Sequence, residues 1–236
     1  MKNSEEKKLN LRGNKMQKYK KEFIEFLVKN NALKFGEFTL KSGRISPYFI
    51  NTGMFKDGKG ITKLALYYAK AIKENFKEFD VLFGPAYKGI PLCVSASMQL
   101  AELGLNKGYA FNRKESKDHG EKGNIIGTKI NSENKVLIID DVITAGTAVK
   151  ETFEILKENG NPQIAGIIIS VNRKEKGSGE KSAIQELEES LKIKITSIID
   201  FDEIVEHLHN RKIDGEIFLD EEKYKQMMEY KKEYGV

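Results

Sequence analysis

The sequence predicts an α/β fold in which a mainly parallel, twisted β-sheet is flanked by helices. Short aliphatic runs, such as V-L-I-I at residues 136–139, alternate along the chain with segments of helical apolar spacing. That alternation is typical of parallel strands joined by helical crossovers. The turns of unusual composition directly follow the aliphatic runs, at the strand ends where such sheets bind ligands.

The first elements precede the sheet. Residues 16–30 carry apolar side chains at helical spacing, which predicts an amphipathic helix. Residues 33–52 have the character of irregular strands around the basic turn K-S-G-R, and by themselves they predict a strand pair with a basic turn. Residues 61–76 again have helical spacing.

The predicted sheet follows, built from short apolar runs bounded by turn formers. Its strands are expected at residues 80–84, 108–112, 136–141, 164–171 and 194–200. Helices are expected from the first of these strands to about residue 103, and at residues 148–159, 182–191, 202–209 and 220–232. Residues 16–236 are therefore predicted to form one domain, and residues 1–15 a basic, disordered leader.

Composition narrows the functional class. The chain has 236 residues and a net charge of +5. Residues 1–22 hold eight Lys or Arg and three acidic residues, so the remaining residues are balanced in charge. A neutral body argues against a nucleic-acid surface, although a membrane or RNA tether in the leader stays open.

The expected compartment is the cytoplasm. No apolar run approaches the length of a membrane span, and the N-terminus lacks the apolar core of a secretory signal. A single cysteine, Cys93, excludes an internal disulfide and a cysteine-based zinc site. We expect Cys93 to serve packing, and His207 and His209, in a polar helix, to lie at the surface.

The segment V-L-I-I-D-D-V-I-T-A-G-T-A at residues 136–148 is the most informative. A buried strand runs into the paired carboxylates Asp140 and Asp141, and the turn T-A-G-T then leads into a helix. Backbone N–H groups at that helix start, with two hydroxyl groups, can hold a phosphate. The turn lacks the lysine of a Walker P-loop. The two carboxylates can accept hydrogen bonds from the hydroxyl groups of a sugar. The plainer alternative is an ordinary strand–loop–helix crossover.

Two further loops carry positive charge. In F-G-P-A-Y-K-G-I-P at residues 83–91, the glycines let backbone approach a ligand and Lys88 adds a cation, although a tight turn explains the glycines equally well. The loop from Arg113 to Glu121 has almost no apolar content and could close over a polyanion. A solvated surface run is the alternative.

The four segments together resemble the orotate phosphoribosyltransferases, a branch of the type I phosphoribosyltransferases. Residues 136–148 resemble their phosphoribosyl-pyrophosphate (PRPP) motif, and residues 113–121 their catalytic loop. Residues 38–51, F-T-L-K-S-G-R-I-S-P-Y-F-I-N, are similar to the hood that covers orotate. Ile50 stands where many members have a second aromatic residue. Arg173 follows a strand, and a guanidinium group can grip a carboxylate in two parallel hydrogen bonds.

The resemblance implies the type I phosphoribosyltransferase fold, with a small N-terminal hood formed mainly by the segment to about residue 52. It also implies the transfer of a phosphoribosyl group from PRPP to orotate, a step in the synthesis of UMP. It implies Mg²⁺ held mainly by PRPP and water, with Asp140 and Asp141 as candidate ligands. It also implies a homodimer whose loop of residues 113–121 serves the neighbouring site. It leaves open whether a separate orotidine 5′-monophosphate decarboxylase binds this chain.

The same resemblance assigns residue roles. The implied catalytic residues are Asp140, Asp141, Lys117 and His119. The implied PRPP and pyrophosphate contacts are Tyr87, Lys88, Arg113, Lys114, Lys117, His119, Asp140, Asp141, Thr144, Ala145, Gly146, Thr147 and Ala148. The implied orotate contacts are Lys41, Phe49, Ile50, Thr144 and Arg173. Two alternatives remain: a PRPP-sensing regulator without catalysis, and an enzyme for another base.

Overall fold

The computed structural model describes residues 16–40, 42–114, 124–177 and 179–236. The helices of those ranges are α1 (Lys18–Lys29), α2 (Gly58–Asn75), α3 (Gly89–Glu102), α4 (Thr147–Glu158), α5 (Ala183–Leu191), α6 (Phe201–Leu208) and α7 (Glu221–Tyr234), with one 3₁₀ turn, Thr52–Met54. None of them has the length and apolar character needed to cross a bilayer.

The strands of the described ranges form one large sheet and two hairpins. They are β1 (Leu33–Thr39), β2 (Ile45–Ile50), β3 (Val81–Gly84), β4 (Gly108–Asn112), β5 (Ile125–Gly127), β6 (Lys135–Ile139), β7 (Gln163–Asn172), β8 (Ile195–Asp200), β9 (Lys212–Ile213) and β10 (Glu216–Ile217). The sheet has the order β5-β4-β3-β6-β7-β8, with only β5 antiparallel to its neighbour. This confirms the predicted α/β class.

The sheet has a topological switch point between β3 and β6. From β3 the chain passes to β4 on one side, whereas from β6 it passes to β7 and β8 on the other. Successive right-handed crossovers then fall on opposite faces, and the crevice at the strand carboxyl ends is where such sheets bind ligands. The loops after β3 and β6 both open there.

Apolar side chains pack on both faces of the sheet. Alternate residues of β3 divide between them: Leu82 packs with α2 and α3, while Val81 and Phe83 pack with α4 and α5. The hairpin of β1 and β2 joins the first cluster through the fully buried Tyr48, which meets Tyr230 of α7 edge to face. The hairpin and the C-terminal helix therefore pack together beside the sheet.

The three side-chain placements expected from sequence have different outcomes. His209 directly follows α6 and its side chain is 31% exposed beside Glu221, so it lies partly at the surface. Cys93 is buried in the core, and burial raises the pKa of its thiol to about 12, so packing is confirmed. The surface placement of His207 is wrong. His207 is 4% exposed, its Nε2 lies 3.1 Å from Glu25 Oε1, and burial lowers its pKa. A partner on α1, far away in sequence, allows a histidine of a polar helix to be buried.

The crossover from β3 to α3 depends on a close backbone approach at Gly84. A Cβ atom there would lie 2.1 Å from the carbonyl oxygen of Gly89 and 2.5 Å from Cys93 Cβ. Gly84→Ala is therefore expected to lower the free energy of unfolding by about 1–3 kcal/mol, as overpacking does, measured by urea denaturation. Gly58→Ala is the control, because its Cβ would meet nothing within 4 Å. An unchanged urea midpoint for Gly84→Ala would contradict the inferred packing.

Candidate active site

The paired acids lie at the switch point, in the loop that follows β6. The predicted strand extended to residue 141, whereas β6 ends at Ile139, so both acids belong to the loop. Asp141 is 8% exposed. Its Oδ2 accepts a hydrogen bond from Lys88 Nζ at 2.8 Å, and its Oδ1 accepts one from the Val142 backbone at 2.8 Å. The Asp141 carboxylate is therefore held in a mostly buried position between the two loops.

The Lys88–Asp141 pair joins the two loops on either side of the switch point. Lys88 precedes α3 and its side chain is 68% exposed, whereas that of Asp141 is 11% exposed. An exposed ammonium group beside a buried carboxylate keeps two of its three donors for a ligand. A cavity of about 310 Å³ opens beside the pair, bordered by the Thr52 turn and the start of α2.

Asp140 is the more accessible of the two acids. Its Oδ1 accepts a hydrogen bond from the Asp141 backbone at 2.8 Å. Burial raises the pKa of Asp140 to about 6, and the nearby negative charge of Asp141 contributes to that shift. Because the folded pKa lies near 6, the carboxyl group is charged above that pH and neutral below it. It is thus a base of moderate strength in the loop after β6.

Buried hydroxyl groups fix the backbone of the two acids. Tyr68 of α2 donates its hydroxyl to the carbonyl oxygen of Asp140 at 2.8 Å. Ser170 of β7 donates both its backbone N–H and its hydroxyl to the carbonyl oxygen of Asp141, at 2.9 and 2.6 Å. Both donors are fully buried. The acids are therefore held from the helix layer and from the neighbouring strand.

The turn between the acids and α4 has the form of an anion site. Gly146 adopts φ +77° and precedes the first residue of α4, and no side chain among the described residues caps that helix start. Thr144, Ala145, Thr147 and Ala148 are exposed. Uncapped N–H groups at a helix start stabilise negative charge. This geometry fits the phosphate-binding role predicted for residues 144–148.

Two of the predicted cationic contacts, Arg113 and Lys114, follow β4 and lie beside the loop after β3. Lys114 Nζ lies 5.1 Å from the centre of the Tyr87 ring, and Tyr87 is 67% exposed. Asn112, which is buried, accepts a hydrogen bond from the Ala86 backbone at 2.9 Å, so the end of β4 supports the loop after β3. Arg113 follows Asn112 directly. Lys41, Lys117 and His119 lie outside the described residues.

The predicted orotate contacts lie around the hairpin. Arg173 follows β7, and its Nη2 donates to Ser46 Oγ at 3.1 Å while its guanidinium covers the Tyr48 ring at 4.1 Å. Phe49 is 39% exposed and stacks on Phe38 at 5.5 Å. Ile50, the last residue of β2, is half-buried. The guanidinium group thus packs against the buried Ser46 and Tyr48 of β2, while the Phe49 ring lies on the exposed side of the same strand.

Arg173 already has a carboxylate partner within the chain. Its Nε and Nη2 atoms both donate to Glu175 Oε1, at 2.8 and 2.6 Å, and both side chains are mostly buried. The two hydrogen bonds use one edge of the guanidinium group and leave Nη1 on the other. A ligand carboxylate would therefore be met by an arginine whose orientation is fixed beforehand.

Four residues of the site were not predicted: Thr52, Tyr68, Asn112 and Ser170. Tyr68 fits the apolar spacing of its helix, and Ser170 ends an aliphatic run, so both have the sequence pattern of core residues. Only the long-range packing shows their bonds to the acids. Thr52 contacts Asp141 Oδ2 at 3.5 Å, at the limit of a hydrogen bond.

Comparison with known proteins places this geometry in context. The family profile described as "Phosphoribosyl transferase domain" matches residues 51–208. An orotate phosphoribosyltransferase of Clostridium acetobutylicum is 52% identical over 94% of this chain and its own full length. One of Clostridium botulinum is 49% identical over 93% of this chain and 99% of its own length.

A solved structure agrees with these sequence matches. The crystal structure of orotate phosphoribosyltransferase from Francisella tularensis superposes with a TM-score of 0.80 at 42% identity, covering 91% of this chain and all of that one. The similarity thus extends from the hairpin to the C-terminal helix.

Proposed function

Since this chain belongs to the orotate phosphoribosyltransferases, we propose that it transfers the 5-phosphoribosyl group of PRPP to orotate, giving orotidine 5′-monophosphate and pyrophosphate for pyrimidine synthesis. The Lys88–Asp141 contact carries this proposal. It brings a cation next to the paired carboxylates, and the uncapped start of α4 follows in the same loop as those carboxylates. The substrate PRPP presents a pyrophosphate, ribose hydroxyls and a 5′-phosphate, which match these three features in turn.

The chemistry follows from charge. The bond from ribose C1 to the pyrophosphate oxygen breaks, the bond from C1 to a ring nitrogen of orotate forms, and that nitrogen loses its proton. As pyrophosphate departs, C1 becomes positive. Asp140 and Asp141 orient the ribose hydroxyls and stabilise this charge, while Lys88 stabilises the charge on the leaving group. Catalysis is then a matter of positioning and fixed electrostatics.

The remaining predicted roles fit the same scheme. Arg113, Lys114, Lys117 and His119 neutralise pyrophosphate, and the turn of residues 144–148 binds the 5′-phosphate. Arg173 recognises the orotate carboxylate, with Lys41 and the exposed Phe49 ring on the base. Thr144 reaches both substrates. The reaction takes place in the cytoplasm.

Mg²⁺ is the proposed cofactor. Hard carboxylate oxygens suit this ion, which retains several waters and takes further ligands from substrate phosphates. Asp140 is the better placed of the two acids to contribute, because one Asp141 oxygen is bonded to Lys88. When bound with pyrophosphate, Mg²⁺ would neutralise negative charge on the leaving group.

A panel of bases tests the choice of substrate. Pyrophosphate release from PRPP is measured with Mg²⁺ and orotate, uracil, xanthine or adenine in turn. Release with orotate alone is the expected result. Release with a purine and not with orotate would establish the enzyme of another base. Binding of PRPP without release in any mixture would establish the regulator.

We propose further that the protein is a homodimer whose residues 113–121 act at the partner's site. Three exposed, large apolar side chains support it: Tyr87, whose ring contacts Lys114 at the start of that loop, Met98 and Tyr109 are 67%, 64% and 40% exposed. Aromatic residues and methionine are enriched at protein interfaces. Lys117 and His119 would then act across the interface, while Asp140, Asp141 and Lys88 act within their own subunit.

Mixing two inactive variants tests this arrangement. In a dimer of one Lys117→Ala subunit and one Asp141→Asn subunit, one site carries both defects and the other carries neither. Random mixing makes about half of the dimers mixed, so activity should return to about a quarter of the wild-type value. A mixture that exchanges subunits, shown by mass spectrometry, yet stays inactive would place the loop at its own site.

A further inference from the structure

The loop that follows β7, residues 173–177, is here named the arginine loop. It is irregular, with Lys174 at φ +51°, yet its side chains are tightly bonded. Glu175 Oε1 accepts the two hydrogen bonds of Arg173 and a third from the Tyr48 hydroxyl at 3.0 Å. The orientation of Arg173 therefore depends on where the backbone of this loop lies.

Arg44 of the hairpin holds that backbone. Its Nη1 donates to the carbonyl oxygen of Lys176 at 2.8 Å, and its Nη2 donates to that of Gly177 at 2.9 Å. Its guanidinium also covers the Tyr234 ring of α7 at 5.0 Å. Only arginine offers two donors in a fixed fork together with a flat face for stacking. The half-buried Arg44 thus contacts both the arginine loop and α7.

The C-terminal segment holds the arginine loop from another side. The Lys176 backbone N–H donates to the carbonyl oxygen of Tyr234 at 2.7 Å, and the Val236 N–H donates to that of Lys174 at 3.0 Å. Glu175 and Gly235 form an antiparallel bridge between these two bonds. The loop is therefore clamped between the Arg44 side chain and the backbone after α7.

We propose that Arg44 is a positioning residue for substrate choice, which acts by holding the arginine loop so that Arg173 meets the carboxylate of the base. The proposal rests on the proposed orotate activity. The carbonyl groups of Lys176 and Gly177 are partly buried, so loss of the Arg44 fork removes a side-chain donor from each and lets the loop shift. A displacement of about 1 Å in a substrate-positioning group can cost as much as 100-fold in rate.

Two substitutions at Arg44 test the proposal through kinetics. Arg44→Ala is expected to raise the KM for orotate by about tenfold and to leave the KM for PRPP within about twofold. Arg44→Lys keeps the charge but not the fork, so most of the rise should persist. Glu37→Ala, at an exposed position of the same hairpin, is the control and should change neither constant. Equal rises in both KM values would contradict a role specific to the base.

Hydrogen–deuterium exchange tests the same proposal without any substrate. The amides of residues 173–177 and 234–236 should exchange faster in Arg44→Ala than in the wild type, and unchanged exchange would overturn the proposal. This outcome stands even if the wild-type protein does not consume orotate, which would refute only the proposed activity.

Gly235→Ala tests the contact between the arginine loop and the segment after α7, and it serves as a second variant in case Arg44→Ala fails to fold. A Cβ atom there would lie 2.4 Å from the Lys231 carbonyl oxygen and displace the bridge to Glu175. It should therefore reproduce the faster exchange and the rise in the KM for orotate. Gly179→Ala, whose Cβ meets nothing within 4 Å, is its control. Wild-type exchange and kinetics in Gly235→Ala would contradict the clamp.

Discussion

Asp141→Asn is expected to lower kcat by about 100-fold or more, with a much smaller change in the KM for PRPP. The magnitude is that of removing one preorganised electrostatic contact from a transition state. Asparagine keeps the shape of the side chain but removes a negative charge that the developing cation at ribose C1 requires. The loss should thus fall on the transition state rather than on ground-state binding.

Asp80→Asn is the matched control for this experiment. Asp80 lies just before β3, at the amino-terminal end of the strands and so opposite to the site, and its Oδ2 accepts a hydrogen bond from the Lys135 backbone at 2.7 Å. The same chemical change should leave kcat unaltered there. An Asp141→Asn variant with wild-type kcat and a large rise in the KM for PRPP would show that Asp141 only binds the ground state.

Arg173→Ala is expected to weaken the use of orotate by about 1.5–3 kcal/mol, the range for a hydrogen bond to a charged group. In kinetic terms this is a rise of about 10- to 150-fold in the KM for orotate. The KM for PRPP should change much less, because Arg173 lies at the hairpin and not at the phosphate turn. Equal loss for the two substrates would show that Arg173 is structural.

The contact with Glu175 requires a second variant. Removing Arg173 alone leaves a mostly buried carboxylate without its main partner, which destabilises a protein whether or not the arginine binds substrate. The double variant Arg173→Ala/Glu175→Gln removes that charge. It should recover thermal stability while keeping the raised KM for orotate. If the double variant recovered both the thermal stability and the wild-type KM for orotate, the whole effect of Arg173→Ala would be due to the unpaired carboxylate.

The sequence was sufficient for most elements of the sheet because their apolar runs are bounded by turn formers and alternate with segments of helical spacing. The predicted strand at residues 108–112 coincides with β4, and the helix at residues 182–191 differs from α5 by one residue. By contrast, β5 has three residues and β9 and β10 have two each. Runs of that length carry no measurable periodicity, so none of the three was predicted.

The motifs located the candidate site but not its internal bonds. The diacid and the phosphate turn are local features, so residues 136–148 alone indicated them. The partners of those acids come from distant elements: Lys88 from the loop after β3, Tyr68 from α2 and Ser170 from β7. Likewise the pairing of Arg173 with Glu175, and the burial of His207 against Glu25, depend on packing that no spacing rule expresses.

The most direct test of the proposed activity is the turnover of orotate by the purified protein. Orotate absorbance is followed in the presence of PRPP and Mg²⁺, and the product is identified by mass spectrometry. The proposal predicts a loss of orotate that requires PRPP and yields one orotidine 5′-monophosphate for each orotate consumed. Folded protein that leaves orotate unchanged under these conditions, while binding PRPP, would contradict it.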